Sequence, residues 1–146
     1  MPLTRATSQA LAEPSAPQRI HVNVLLVEDD DDDIFVFDRL LKRSKKVYFS
    51  MNICHTTAEA EVLLASASFG IVFVDYWLGK EISLDFVRRV SGAAMPPFVL
   101  VSGLDTPEIQ MEARKAGAVG FICKSDLILD SIENMTLSLI GASPHN

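Results

Sequence analysis

Ile71-Val72-Phe73-Val74-Asp75-Tyr76-Trp77-Leu78 is the stretch that decides the fold. Four consecutive apolar residues, β-branched except for Phe73, read as a strand buried on both faces, and strands of that kind belong to parallel sheets covered by helices. One carboxylate, Asp75, stands at the strand's end. A buried carboxylate is costly without partners, and the carboxyl ends of strands are where open α/β sheets bind ligands, so Asp75 is a candidate site residue.

The same grammar repeats on either side. Toward the N-terminus, a strand is expected over Val22 to Glu28, with Val24-Leu25-Leu26-Val27 as its apolar run, and it opens into Glu28-Asp29-Asp30-Asp31-Asp32-Asp33. Ile34, Phe37, Leu40 and Leu41 then recur at helical spacing, with one of the late aspartates as N-cap. Val47 to Cys54 is a second strand, and Thr56 with Glu59 forms a capping box for a helix reaching about Ala67. Toward the C-terminus, Ser83 caps a short helix carrying Leu84, Phe86, Val87 and Val90, and Pro96-Pro97 ends the connection. Phe98-Val99-Leu100-Val101 is the fourth strand and stops at Ser102-Gly103. Thr106 with Pro107 starts a helix that Gly117 closes. Val119 to Cys123 is the last strand and delivers Lys124; a final helix is expected from Ser125 or Asp126 to about Ile140.

Strict βα alternation makes this an α/β chain: a doubly wound, five-stranded, mostly parallel sheet with right-handed crossovers and helices on both faces. All the strand ends then share one edge. Glu28, Asp29, Asp75, Ser102 and Lys124 become neighbours although the sequence separates them.

Carboxylates gathered in this way repel one another unless a cation is shared between them. Magnesium suits such a site, being held by one or two carboxylates with phosphate oxygens and water, whereas zinc would want His or Cys that this edge lacks. An aspartate beside the metal can attack phosphorus and form an acyl phosphate. Lys124 would neutralise one phosphoryl oxygen and the Ser102 hydroxyl would donate to another, a chemistry of positioning and charge stabilisation.

With these residues placed, the chain resembles the receiver domains of two-component response regulators from about Val22 to Ile140. The motifs are specific as a set: the acidic pair Glu28-Asp29, Asp75, the hydroxyl and small residue Ser102-Gly103, and Lys124. The resemblance implies a flavodoxin/CheY-like strand order, 2-1-3-4-5. It also implies that Asp75 accepts a phosphoryl group from a phosphohistidine on a histidine kinase or a histidine phosphotransfer protein. Asp29, Asp75 and the backbone carbonyl of Trp77 would ligate Mg2+ directly, with Glu28 acting mostly through water. Ser102 and Phe121 fall at the switch positions, and the signalling surface would be the fourth helix, fifth strand and fifth helix, about Thr106 to Ile140.

Some positions depart from that pattern. Phe121 lacks the hydroxyl of the more familiar Tyr, so a switch there works by packing. Ser125 replaces a Pro whose preceding bond is typically cis in the family, and a non-proline cis bond costs about 3–4 kcal/mol, which leaves the Lys124–Ser125 geometry open. Trp77 and Leu104, two residues beyond Asp75 and Ser102, are bulky and are expected to shield the acyl phosphate from water.

The totals agree with one domain. A chain of 146 residues with 49% hydrophobic residues can bury a core, and the sequence divides into a flexible tail at 1–20, the domain at 21–141 and a C-terminal tail at 142–146. The net charge of -6 argues against a nucleic-acid surface; Lys42-Arg43-Ser44-Lys45-Lys46 reads as the basic last turn of a helix. Cys54 and Cys123 read as buried free thiols of a reducing, cytoplasmic compartment, and no apolar run reaches membrane-spanning length. Asp30 to Asp33 reads as a solvated capping run, with Asp30 the one most apt to join a metal. His21, His55 and His145 show no metal spacing. In the final helix Ile128, Ile132, Met135 and Leu139 supply the core face, which turns Leu137 outward as a frayed end or as a partner or homodimer surface.

The expected function is a stand-alone receiver acting as a phosphorylation switch, a phosphoacceptor rather than an enzyme, since little chain follows the last helix to hold an output domain. Three other readings share parts of the pattern. An unswitched interaction module would account for Phe121 and Ser125. A haloacid dehalogenase-like phosphohydrolase would need an acid where Trp77 stands, and a flavodoxin-like cofactor carrier would need a Ser/Thr/Gly-rich phosphate loop where the acidic turn stands.

Overall fold

Every residue of Ile71–Asp75 and of Phe98–Ser102 is buried, and these two strands lie side by side in the middle of a parallel sheet. The computed structural model describes residues 19–141. In chain order the elements are β1 (Ile20–Val27), α1 (Asp31–Lys42), β2 (Val47–Cys54), α2 (Thr57–Ser66), β3 (Ile71–Asp75), β4 (Trp77–Leu78), β5 (Glu81–Ile82), α3 (Leu84–Val90), β6 (Phe98–Ser102), α4 (Pro107–Ala116), β7 (Gly120–Cys123), a 3-10 turn (Lys124–Asp126) and α5 (Leu129–Gly141). The main sheet runs β2-β1-β3-β6-β7, which is the expected 2-1-3-4-5 order once the small antiparallel β4–β5 hairpin is set aside.

Successive strand residues point to opposite faces, so unbroken apolar runs feed two cores. Leu25, Val27, Val72, Val74 and Leu100 meet Ala60, Phe86, Val87, Ile109 and Ala113 from α2, α3 and α4. Val24, Leu26, Ile71, Phe73, Val99 and Val101 meet Phe37 and Leu41 from α1 and Ile132 from α5 on the other side. Each such side chain contributes about 1.5–3 kcal/mol relative to exposure. The register sets Val27 against Val74, Asp75 against Val101 and Ser102 against Cys123, so the residues that follow these positions come out along one edge.

Local chemistry sets the helix ends. Asp30 is the N-cap of α1, its Oδ1 accepting from the N–H groups of Asp32 at 2.9 Å and Asp33 at 3.1 Å. Thr56 accepts from Glu59 N–H at 3.1 Å to open α2, while Glu59 reaches back to the N–H of His55 at 2.8 Å. Thr106 accepts from Ile109 N–H at 3.2 Å to open α4, and Gly117 closes that helix at φ 115°, where a Cβ would meet the Ser91 hydroxyl. Of the basic run, Lys42 lies in the last turn of α1 and pairs with Asp38 at 2.8 Å and Arg43 is the C-cap, whereas Lys45 and Lys46 lie beyond the helix in the turn before β2.

Several expectations need correction. Ile20 and His21 join β1, two residues before the expected start, because the strand pairs with β2 along its whole length. Residues 1–18 of the expected tail, the expected tail at 142–146 and His145 lie outside the described residues. The final helix does not start at Ser125 or Asp126. A 3-10 turn comes first, and Leu127, with ψ 87°, breaks it and packs against the core before α5 begins. Two apolar assignments are reversed: Ile128, which precedes α5, is 57% exposed, while Leu137, next to the buried Thr136, packs against the α1 side of the core together with Ile132, Met135 and Leu139. The β4–β5 hairpin was not legible in the sequence, since its strands are only two residues each. Among the described residues no peptide bond is cis, so Lys124–Ser125 is trans. No helix among them is long and apolar enough to cross a membrane.

Candidate functional site

Asp75 ends β3 and is 6% exposed; Glu28, just past β1, is 3% exposed. Lys124, just past β7, reaches over both. Its Nζ lies 3.0 Å from Asp75 Oδ1 and 3.4 Å from Glu28 Oε1. Asp29 is exposed, and Glu28, Asp29 and Asp75 each offer a carboxylate oxygen, all within 4.8 Å of one another. Among the described residues Asp29 has no basic partner. Gly79, at φ 63° in the β4–β5 turn, comes so close that a Cβ there would sit 3.7 Å from Asp29 Oδ2.

The electrostatics follow from this crowding. Burial, then the charge of Asp75, pushes the Glu28 carboxyl up from 4.5 to about 7. Burial also pushes Asp75 upward, against the lowering effect of Lys124. Burial alone would lower the Lys124 ammonium, but its hydrogen bonds to Asp33 and Asp75, with the charges of Asp75 and Glu28, outweigh it and hold it well above the ordinary lysine value. A hard divalent cation fits this donor set: three oxygens converge, one from a carboxylate without a basic partner, and the single ammonium leaves negative charge in excess.

The other expected residues are placed as follows. Ser102 ends β6, is 1% exposed, and its Oγ accepts from Leu104 N–H at 3.0 Å, which leaves its own O–H available as a donor. Trp77 begins the hairpin and is 46% exposed, and Leu104 is 51% exposed. Phe121 is partly buried against the α2–α3–α4 side of the core and borders a cavity of about 50 Å³ with Gln110, Ala113 and Arg114 of α4. Asp30 uses its Oδ1 to cap α1, and the three carboxylates that converge are those of Glu28, Asp29 and Asp75. Burial, then the Glu59 charge, pushes the Cys54 thiol up to about 12, which disfavours the thiolate there.

Two residues of this edge were missed. Ser83 occupies the N-cap position of α3 but makes no cap bond. Its buried hydroxyl instead donates 2.7 Å to the backbone carbonyl of Asp75 and so anchors the end of β3. Asp33 lies closest of all to Lys124, with Oδ2 at 2.6 Å from Nζ. A signal for it was present: Asp33 is one helical turn before Phe37, a core residue of α1, and therefore on the inward side. Asp33, Lys124, Glu28 and Asp75 border a cavity of about 130 Å³ with Leu26 and Phe37. A wider concavity, about 760 Å³, opens at the opposite edge of the sheet, where His21 is its sole ionisable lining residue.

Comparison with known proteins points the same way. A family model described as "Response regulator receiver domain" matches residues 24–132. The regulatory protein VirG of Agrobacterium tumefaciens is 27% identical over 118 residues, covering 80% of this chain; the chain spans 43% of that relative's length. Among solved structures, a response regulator from Thermotoga maritima superposes with a TM-score of 0.71 at 23% identity, covering 84% of this chain and 99% of that one. The signal receiver domain of a response regulator from Bermanella marisrubri gives a TM-score of 0.68 at 26% identity, covering 81% of this chain and 97% of that one. Neither the phosphohydrolase nor the cofactor-carrier reading is favoured by these likenesses.

Proposed function

Because the chain belongs to the response regulator receiver domain family of two-component systems, we propose that it is a phosphoryl-accepting switch with Asp75 as the acceptor. The observation that carries this reading is the placement of Lys124 Nζ 3.0 Å from Asp75 Oδ1, with Glu28 and Asp29 oxygens within 4.8 Å of the same carboxylate. In the proposed step an Asp75 carboxylate oxygen attacks phosphorus, a P–O bond forms, and the P–N bond of a phosphohistidine breaks with its electron pair returning to the imidazole. The donor would be a sensor kinase or a phosphotransfer protein. Lys124 neutralises one phosphoryl oxygen, and the Ser102 hydroxyl donates to another.

Asp29, Asp75 and the Trp77 carbonyl would hold Mg2+ directly, with Glu28 through water. The ion, when bound, supplies the positive charge that lets an anionic phosphoryl group approach this acidic edge. Phosphorylation draws Ser102 toward the phosphoryl group, and Phe121 repacks toward the cavity beside α4. The downstream partner, or a second copy of the chain, would then read the α4–β7–α5 face, where Met111 and Ile128 are exposed. A reducing, cytoplasmic setting fits the two free cysteines.

Intact-mass analysis after incubation with acetyl phosphate, with and without Mg2+, beside an Asp75→Asn control, tests this reading. The expected result is a single magnesium-dependent phosphate adduct that the control lacks. An absence of adduct under every condition would replace this reading with the unswitched interaction module.

A further inference from the structure

Lys124 carries three N–H donors and faces three carboxylates, Asp33 at 2.6 Å, Asp75 at 3.0 Å and Glu28 at 3.4 Å. The ammonium is therefore shared among three carboxylates before any phosphoryl group arrives. The shortest contact goes to Asp33, which stands on the first turn of α1 rather than at a strand end. Charge-assisted bonds of this length are the strong ones, so Asp33 draws the ammonium toward α1. The Asp33 side chain is 42% exposed and that of Lys124 27%, so the pair is partly screened and breakable.

We propose that Asp33 is a resting-state counter-ion that competes with the phosphoryl group for Lys124, and so sets how readily Asp75 is phosphorylated. This rests on the reading of Asp75 as the phosphoacceptor. For Lys124 to bond a phosphoryl oxygen, one of its three carboxylate contacts must open. The Glu28 and Asp75 contacts come from carboxylates fixed at strand ends, whereas Asp33 is the partly exposed partner that water can take over. Asp33 also adds a negative charge to the path of an anionic donor. Asp33 is thus a positioning residue acting through Lys124.

The test measures the phosphorylation rate of the full chain by acetyl phosphate at saturating Mg2+, for wild type, Asp33→Asn and Asp33→Glu. Asp75 oxygen attacks phosphorus, the P–O bond to acetyl breaks, and acetate leaves with the electron pair. Wild type should form the adduct. Asp33→Asn should form it about two- to fivefold faster, the range expected from loosening a partly exposed ion pair, and Asp33→Glu should remain near wild type. A gain of rate is not what a merely structural role would give, since disruption of α1 would slow the reaction. Unchanged or slower labelling of Asp33→Asn, with wild type labelling normally, overturns the competition. Failure of wild type to label at all overturns the phosphoacceptor reading instead.

Discussion

Glu28→Gln should make this protein more stable at neutral pH and flatten its response to pH. In the folded chain burial and the Asp75 charge raise the Glu28 carboxyl from 4.5 to about 7, so the native state holds this proton more tightly than the unfolded chain does. For a raised carboxyl the sign is unfavourable on the alkaline side. Stability is greatest below about pH 4.5, falls as pH rises toward 7 and is then level, because over that interval the native state binds more protons than the unfolded state. At about 1.4 kcal/mol per pH unit, the interval amounts to about 3 kcal/mol. Gln keeps the amide-accepting oxygen that Glu28 Oε2 offers to Asp30 N–H at 3.1 Å, so the turn into α1 survives the change. Urea unfolding followed by far-UV circular dichroism at pH 4.5, 6 and 7.5, without divalent ions, measures the effect. The variant should gain about 1–3 kcal/mol over wild type at pH 7.5 and nothing at pH 4.5. Parallel profiles for the two proteins would refute the reasoning.

Ser83→Ala removes the hydroxyl that donates to the Asp75 carbonyl in a fully buried position, and should cost about 1–3 kcal/mol in denaturant unfolding. A loss below the error of that measurement would mean the carbonyl finds another donor. Trp77→Asn and Leu104→Glu replace the half-exposed apolar side chains that follow Asp75 and Ser102, and each should speed the loss of phosphate from the labelled protein, followed by intact mass over time. Unchanged decay in both would end the shielding role assigned to these two residues.

Much of this molecule is legible in its amino-acid sequence. Four-residue apolar runs such as Val24-Leu25-Leu26-Val27 and Phe98-Val99-Leu100-Val101 can be buried only on both faces, and their alternation with capped helices leaves one topology class. Glu28, Asp29, Asp75, Ser102 and Lys124 are legible as a set because a parallel sheet carries every strand end to one edge, whatever the distance in sequence. The caps Thr56 and Thr106 and the closing Gly117 are legible for a local reason, each acting within a few residues.

Tertiary structure alone decided the rest. Ser83 carries the residue type of a helix cap, but the fold brings the Asp75 carbonyl within reach of its hydroxyl, and the buried carbonyl is the stronger claim on it. Ile128 lies just before α5 and is exposed, while Leu137 packs inward because α5 buries Glu133 and Thr136 beside Ile132, polar residues that an apolar spacing read from sequence leaves out. Asp33 reads in sequence as part of the solvated capping run Asp30 to Asp33, and although its place one turn before Phe37 turns it inward, only the fold brings Lys124 to it. Sequence determines which chemistry is delivered to the edge, since that depends on strand ends; which of the carboxylates the lysine holds is a matter of ångströms that only packing sets.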